Sequence, residues 1–308
     1  MIEARRLHIL RAVADHRTVT AAAAALYLTP SAVSQQLTAL EQETGHRLVE
    51  RGARGVRLTP AGEILLRHTH AVLAQLERAD AELAAYHSGA AGTVTVAAFA
   101  TGIGLVVAPA LARLAADAPG IRVRVQDAEG DASLPMVLDR RVDIAVAVEY
   151  RGAPGADDPR LTRVPLYAEP FDAVLPLGHA LAGLRSLRAL SELSHDTWIG
   201  PYPGNPCHDV VVLACEHAGF RPRLEHQSDD FRAVVALASA GAGVALVPRA
   251  ALRDMDLGGV VVRPLDGAPT RRVFAAVRCG AEEHPLIRPV LSALDGAAAA
   301  RGTAPAVR

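Results

Sequence analysis

Thr29-Pro30-Ser31-Ala32-Val33-Ser34-Gln35-Gln36-Leu37-Thr38-Ala39-Leu40-Glu41 is the stretch on which the reading of this chain turns. Threonine can cap the free N–H groups of a helix start, and proline at the first helical position gives up no hydrogen bond. Val33, Leu37 and Leu40 recur at i, i+4 and i+7, so they share one face and point inward. Ser31, Ser34, Gln35 and Thr38 carry the other face, which is short, polar and uncharged. Such side chains can enter a DNA major groove and bond to base edges and phosphates, with glutamine able to pair bidentately with adenine. A helix N-terminus also favours phosphate through its free N–H groups. The same face suits an ordinary surface helix, so the neighbouring segments decide between the two.

Upstream, residues 5–15 predict a first helix with Leu7, Leu10, Val13 and Ala14 at core spacing. Thr18 stands where an N-cap belongs, and residues 20–26 follow as a short alanine-rich helix that lets another helix approach closely. Tyr27-Leu28 makes the turn into the helix quoted above, which ends before Gly45. Downstream, residues 48–58 read as two short strands around a Gly-containing turn, a wing. Arg51, Arg54 and Arg57 on it would reach a DNA backbone or minor groove. Thr59-Pro60 then repeats the Thr-Pro helix start.

The residues Thr18-Val19-Thr20-Ala21-Ala22, Leu26, Pro30 to Leu37, Leu40-Glu41, Gly45, Leu48, Arg51 and Leu58-Thr59-Pro60-Ala61-Gly62 together resemble the N-terminal signature of LysR-type transcriptional regulators. The match runs over about 60 contiguous residues without a gap in spacing. Val19 and Val49 depart from the family, which commonly has phenylalanine at both positions, and bear on packing detail. The resemblance implies that the helix from Pro30 reads the major groove, with Ser31, Ser34 and Gln35 at DNA-contacting positions and Arg51 and Arg54 at wing or phosphate contacts. The expected DNA-binding set is Thr18, Thr29, Pro30, Ser31, Ser34, Gln35, Thr38, Arg51 and Arg54. The resemblance also implies dimers or tetramers on partly palindromic double-stranded sites.

Residues 60–86 form one helical pattern, roughly 40 Å long at 1.5 Å per residue. Leu65, Thr69, Val72, Leu76, Ala79, Leu83 and Tyr86 make a heptad seam, marred by Thr69 and Ala79. Such a seam needs a partner. The same helix of a second chain is the preferred one, as the family resemblance implies, and packing on its own domain is the alternative. A dimer would present two recognition helices to two half-sites.

Beyond the small-residue hinge at 88–92, residues 93–296 alternate short apolar runs with helical stretches, an α/β pattern. Strands are expected at residues 93–99, 121–125, 143–148, 172–175, 243–247 and 270–277, and helices at 103–117, 131–141, 209–218 and 231–240. The fold expected is therefore α+β and multidomain: a winged helix-turn-helix at 1–58, a linker and dimerisation helix at 59–87, and a two-lobed α/β effector domain. Lobe I is placed at about 93–165 and 265–296, lobe II at about 166–264, and a flexible tail at 297–308. The resemblance implies a domain like that of periplasmic solute-binding proteins, which hold a small molecule between their lobes. The cleft should lie at the carboxyl ends of strands. Ala100-Thr101-Gly102 follows the first strand and opens a helix, where N–H groups and a hydroxyl suit a carboxylate or phosphate. Glu149, Tyr202, Gly204, Phe231 and Val247 complete the effector-binding expectation, by position.

Half of the residues are hydrophobic and 21% charged, a globular composition. A formal net charge of -1 does not announce a nucleic-acid binder. Residues 1–60 nonetheless hold eight arginines against five acids. Every basic side chain is arginine, which together with the alanine richness reads as genome base composition. No long apolar run free of charge suggests a membrane span, and residues 1–6 lead into no apolar segment of the secretory kind. Three cysteines are too few for a disulfide framework, so a cytoplasmic setting is expected. Cys207-His208-Asp209 with Cys215 and His217 lacks the spacing of a zinc site or a catalytic set. Gly102-Ile103-Gly104 lacks the third glycine of a dinucleotide fingerprint, and Gly241-Ala242-Gly243 precedes a strand. No cofactor, metal or catalytic set is expected, and the partners are DNA, a small-molecule effector and a second copy of the chain. Two rival readings are a solute-binding protein and a metabolite-binding enzyme with an N-terminal regulatory domain. The segment 18–62 argues against the first, and the want of a catalytic set against the second.

Overall fold

The computed structural model describes residues 2–52, 55–86 and 91–302. Arg54, the hinge residues 88–90 and the tail residues 303–308 lie outside the described residues. The N-terminal unit consists of α1 (Ala4–His16), α2 (Val19–Ala25), α3 (Pro30–Thr44) and the ribbon β1 (Val49–Gly52) with β2 (Gly55–Leu58). Ile9, Leu10, Val13, Ala22, Val33, Leu37, Leu40 and Leu48 form its core, and Val49 packs there at 7% exposure. A valine thus fills the place with an apolar side chain of smaller volume.

Side-chain caps set the helix starts: Thr18 accepts from the Ala21 N–H and Thr29 from the Ala32 N–H, with Pro30 in the first turn of α3. Gly45 ends α3 in the left-handed region at φ 69°. β1 and β2 pair antiparallel, Val49 opposite Leu58 and Gly52 opposite Gly55. The Val56 N–H donates to the Arg17 carbonyl at 2.7 Å, tying the wing to the α1–α2 turn.

α4 (Pro60–Tyr86) is a single helix, joined to the wing by Thr59, whose hydroxyl accepts from the Gly62 N–H. A side chain at Gly62 would drive its Cβ into the Leu48 carbonyl, so this crossing requires glycine. Of the seam expected to meet a second chain, only Thr69 is buried within this one. Gly62, Thr69, Leu73, Ala74, Glu77 and Ala81 are buried, whereas Val72, Leu76, Leu83 and Tyr86 are exposed. The cause is the chain's own C-terminal domain. Glu77 accepts from Arg278 Nε at 3.0 Å, pairs with Arg140 at 2.5 Å, and Gly280 lies against the Ala74 carbonyl. α1 docks on the same domain: Arg11 donates to the Leu138 carbonyl at 2.9 Å, Asp15 pairs with Arg160 at 2.5 Å and His16 with Asp139 at 3.0 Å. Here burial keeps the His8 imidazole down at about 4, aided by Arg11, Arg140 and Arg278.

The C-terminal domain begins with β3 (Gly92–Ala98), so residue 92 belongs to a strand and not to the hinge. α5 (Ala100–Gly102), a π-helical turn (Ile103–Val107) and α6 (Ala108–Asp117) continue into one another. This run is long and apolar enough to cross a membrane by length and composition alone. Its Val106, Val107, Ala110 and Leu114 sit in the core of lobe I. There follow β4 (Ile121–Asp127), α7 (Gly130–Leu138), β5 (Ile144–Val148), β6 (Leu161–Pro176), β7 (Thr197–Gly200), α8 (Pro206–His217), β8 (Arg223–Gln227), α9 (Phe231–Ser239), β9 (Ala245–Pro248), β10 (Val260–Arg263), β11 (Thr270–Arg278) and α10 (Ile287–Gly302).

β4, β3, β5, β11, β6 and β10 lie side by side in one sheet, and β9 also pairs with β6. β3 is parallel to β4 and β5, whereas β11 runs antiparallel to β5 and β6. The 16-residue β6 does two jobs. Residues 161–170 pair with β11 in lobe I, and residues 171–176 pair with β9 and β10 in lobe II. The lobes therefore exchange strands at Pro170 and Thr270, about five residues beyond the boundaries expected at 165 and 265. Lobe II packs around Phe171, Leu175, Trp198, Val211, Val235 and Leu246. The expected flexible tail is corrected in part: α10 continues to Gly302, because Ala297 and Ala298, 5% and 3% exposed, pack into the domain.

Candidate functional site: a DNA-reading face and an interlobe cleft

On α3, Ser31, Gln35 and Thr38 are exposed and Ser34 is half-buried, while Val33, Leu37 and Leu40 are buried beneath them. The spacing in the sequence thus sorts the helix into a packed face and a polar free face. Arg51 on β1 donates from Nη2 to the Ser34 hydroxyl at 3.2 Å, which brings the wing and the helix into one surface. The Thr29 and Ser31 hydroxyls lie 3.3 Å apart at the helix start, and the Thr38 hydroxyl donates to the Ser34 carbonyl. Thr18 caps α2 beside this surface, and Arg54 lies outside the described residues. Tyr27, which is 82% exposed with φ at 54°, lies in the turn before α3, where the sequence places it.

The second site is a cavity of about 640 Å³ between the lobes. That volume suits a small metabolite. Ala100 and Thr101 after β3 and Phe231 at the start of α9 line it, as the strand-end rule anticipates. The other expected residues lie elsewhere. Gly102 is buried beneath the Phe99 ring. Val247 is wholly buried, because β9 pairs with β6 and turns it into the lobe II core. Tyr202 is 51% exposed outside the cavity, with its N–H on Asp229 at 3.0 Å. Gly204 lies near the Asp131 carboxylate, and neither residue lines the cavity. Glu149 lines a separate, smaller cavity of about 310 Å³ with Tyr150 and Arg151.

Residues that sequence reasoning missed supply most of the cleft's charge. Arg271, 1% exposed on β11, pairs with Glu169 at 2.6 Å and donates to the Thr101 hydroxyl at 3.0 Å. Glu169 also accepts the Ala250 N–H at 3.1 Å. This buried pair joins facing positions of the antiparallel β6 and β11 and takes one hydrogen-bond partner from each lobe, Thr101 and Ala250. The Cys207 sulfur lies 3.7 Å from Arg271, and burial pushes its thiol up despite that neighbour. Asp127 ends β4 and Glu129 follows it on lobe I, and Asp229 and Asp230 precede α9 on lobe II. Asn205 joins the lobes: its carbonyl oxygen takes the Cys207 N–H at 2.8 Å, and its amide nitrogen donates to Glu129 at 3.2 Å. Burial, then Asp229 and Asp127, raise the Glu129 carboxyl to about 7, against the pull of Arg271.

Comparison with known proteins matches two family models in tandem. The bacterial regulatory helix-turn-helix protein, lysR family, covers residues 4–63, and the LysR substrate binding domain covers residues 87–299. A probable hydrogen peroxide-inducible genes activator of Mycobacterium avium is 34% identical over 249 residues, 78% of this chain and 76% of that protein. A mutant of OxyR from Corynebacterium glutamicum superposes with a TM-score of 0.60 at 23% identity, over 98% of this chain and 96% of that one. Full-length CbnR in complex with its target DNA gives 0.54 at 23%, over 96% and 100%. At these identities the structures show the fold alone: an N-terminal helix-turn-helix unit followed by a two-lobed C-terminal domain. The tandem match places the chain with regulators and sets aside the solute-carrier reading. The chain belongs to the LysR family of transcription regulators, with an N-terminal DNA-binding helix-turn-helix and a C-terminal effector-binding domain.

Proposed function

We propose that this regulator reads its operator through Ser31, Ser34, Gln35 and Thr38 on α3, with Thr18, Thr29 and the N-terminus of α3 on phosphates and Arg51 and Arg54 on the backbone beside them. The observation that carries the reading is the exposed polar face of α3 held against the wing by the Arg51–Ser34 bond. A second copy of the chain joins through the exposed face of α4, where Val72 and Leu76 are 42% and 40% exposed. Two α3 helices then address two half-sites. The interlobe cleft holds a small-molecule effector, and its occupancy biases lobe closure and the placement of the DNA-binding units. For that to work the effector must bind the two states with different affinity. The chain acts in the cytoplasm by binding and not by turnover; steady conversion of a cleft ligand would overturn that point. The test is fluorescence anisotropy on the gene's own upstream DNA against a scrambled duplex, at about 0.15 M salt, since affinity depends on it. A preference of roughly a thousandfold supports the reading. Equal binding to every duplex of a genomic fragment library overturns it.

The relatives named as peroxide-inducible activators bring a second reading, in which Cys207 beside Arg271 is the sensor. Two observations weigh against it. Burial pushes the Cys207 thiol up and the Cys215 thiol to about 12. Both cysteines lie on α8, eight residues and therefore about 12 Å apart along the helix, whereas a disulfide needs Cα atoms within about 7 Å. Reversible effector binding is the reading we favour. A peroxide-induced change in operator binding that disappears in Cys207→Ser would replace it.

A further inference from the structure

We infer that the interlobe cleft takes an effector bearing an organic cation, an ammonium or guanidinium group, held between Asp127 and Glu129 of lobe I and Asp229 of lobe II. The inference rests on the reading of this cleft as the effector site.

Five carboxylates line the cavity, on Asp127, Glu129, Asp229, Asp230 and Asp254, against the guanidiniums of Arg232 and Arg271. Arg271 is already committed to Glu169 and Thr101, so it offers little net charge to a ligand. Asp230 is committed as well, since it caps α9 through the Arg232 N–H at 2.8 Å. Asp127, Glu129, Asp254 and the second oxygen of Asp229, whose first holds the Tyr202 N–H, remain against Arg232, so the charge left facing the space is net negative and stands on both walls.

Glu129 is the centre of the argument. It is half-buried and accepts one neutral donor, Asn205 Nδ2. The Asn205 amide cannot reverse, because its oxygen is fixed on the Cys207 N–H. Glu129 and Asp229 line the same cavity from opposite lobes, and Asp229 is the acidic neighbour that raises the Glu129 carboxyl most after burial. A carboxylate raised to about 7 by burial and by acidic neighbours is one whose nearby cation, Arg271, does not offset them. A cation between the walls would bond to carboxylates of both lobes and turn their repulsion into attraction. An anionic effector would add to the repulsion.

The geometry also selects the kind of cation. Among the described residues no three His, Cys, Asp or Glu side chains gather closely enough to hold a metal ion. Carboxylates spread over two walls suit the several divergent donors of an ammonium or guanidinium. Phe99, Leu105, Phe231 and Met255 line the same cavity and suit a methylene chain behind the charged group.

The test is calorimetry and thermal denaturation of the full chain with agmatine, putrescine, cadaverine, lysine and arginine, against benzoate, succinate, Mg²⁺ and Mn²⁺. Specific operator binding is measured on the same preparation. At least one organic cation is expected to bind and raise Tm. E129Q and D229N each weaken that binding about tenfold or more, the loss expected for one charge-assisted hydrogen bond. Without any probe, E129Q raises Tm at pH 8, because it removes the repulsion. Response to the carboxylates or the metals alone, silence of all five organic cations, or binding unaltered in both variants overturns the inference. If any of these occurs while specific operator binding persists, the regulator reading stands and the effector class falls. If specific operator binding is itself absent, the reading beneath it has failed.

Discussion

Arg271→Met should be among the costlier single substitutions in the C-terminal domain. Arg271 and Glu169 have side chains 1% and 6% exposed, joined by contacts of 2.6 and 2.8 Å to one carboxylate oxygen. The other oxygen accepts the Ala250 N–H. Methionine keeps much of the aliphatic volume but takes from the buried Glu169 carboxylate the guanidinium bonded to it. Removing one partner of a buried pair costs about 3–5 kcal/mol. With a urea slope of about 3 kcal/mol per M, the midpoint should fall by about 1–1.7 M. The chain has a single tryptophan, Trp198, which is wholly buried in lobe II, so its fluorescence reports the loss directly. The double variant E169Q/R271M should recover most of the deficit. Glutamine can still accept the Ala250 N–H, and no charge is left unpaired. A cost of R271M under about 1 kcal/mol, or a double variant as costly as the two singles added together, would refute the argument that loss of the buried ion pair is the cause.

Three further outcomes are expected. Leu76→Glu should shift the protein from dimer to monomer in light scattering with little change in Tm; an unaltered mass would remove α4 as the interface. Gly62→Ala should destabilise by roughly 1–3 kcal/mol, because the new Cβ meets the Leu48 carbonyl, a backbone atom that cannot move aside; urea unfolding checks it. His8 is neutral in the folded chain, with its imidazole lowered to about 4 by burial and then by Arg11, Arg140 and Arg278. Its contribution is therefore complete above about pH 6.5 and lost as pH falls towards 4. H8Q should flatten the fall in stability over that window, and an unchanged pH profile would contradict the assignment.

What the sequence made legible was whatever depends on local pattern. Thr29-Pro30 and the Val33, Leu37, Leu40 spacing specify both the start of α3 and its buried face. Local pattern says less about what a helix meets. The heptad reading of α4 gave a seam for a second chain but not the face of Ala74 and Glu77 that meets the C-terminal domain, since their partners, Gly280 and Arg278, lie some two hundred residues away. The cleft was legible at Thr101 and Phe231, where helices begin at strand ends. Arg271 lies within a strand and carries no such mark. Glu129 and Asp229 do flank strand ends, and the same rule applied to β4 and β8 could have found them. Val247 was misplaced because a strand end can also be buried by its neighbour, here β6. The alanines after Asp295 resemble a frayed tail by composition, yet small side chains are what let α10 pack closely.

The central claim is that α3 reads base identity. The most direct measurement is the relative affinity of wild type and Gln35→Ala across a library of operators randomised one base pair at a time. The account predicts a loss of about 1–3 kcal/mol of discrimination confined to one or two positions of each half-site, with the other positions read as before. A uniform loss at every position, or a profile identical to wild type, would contradict it.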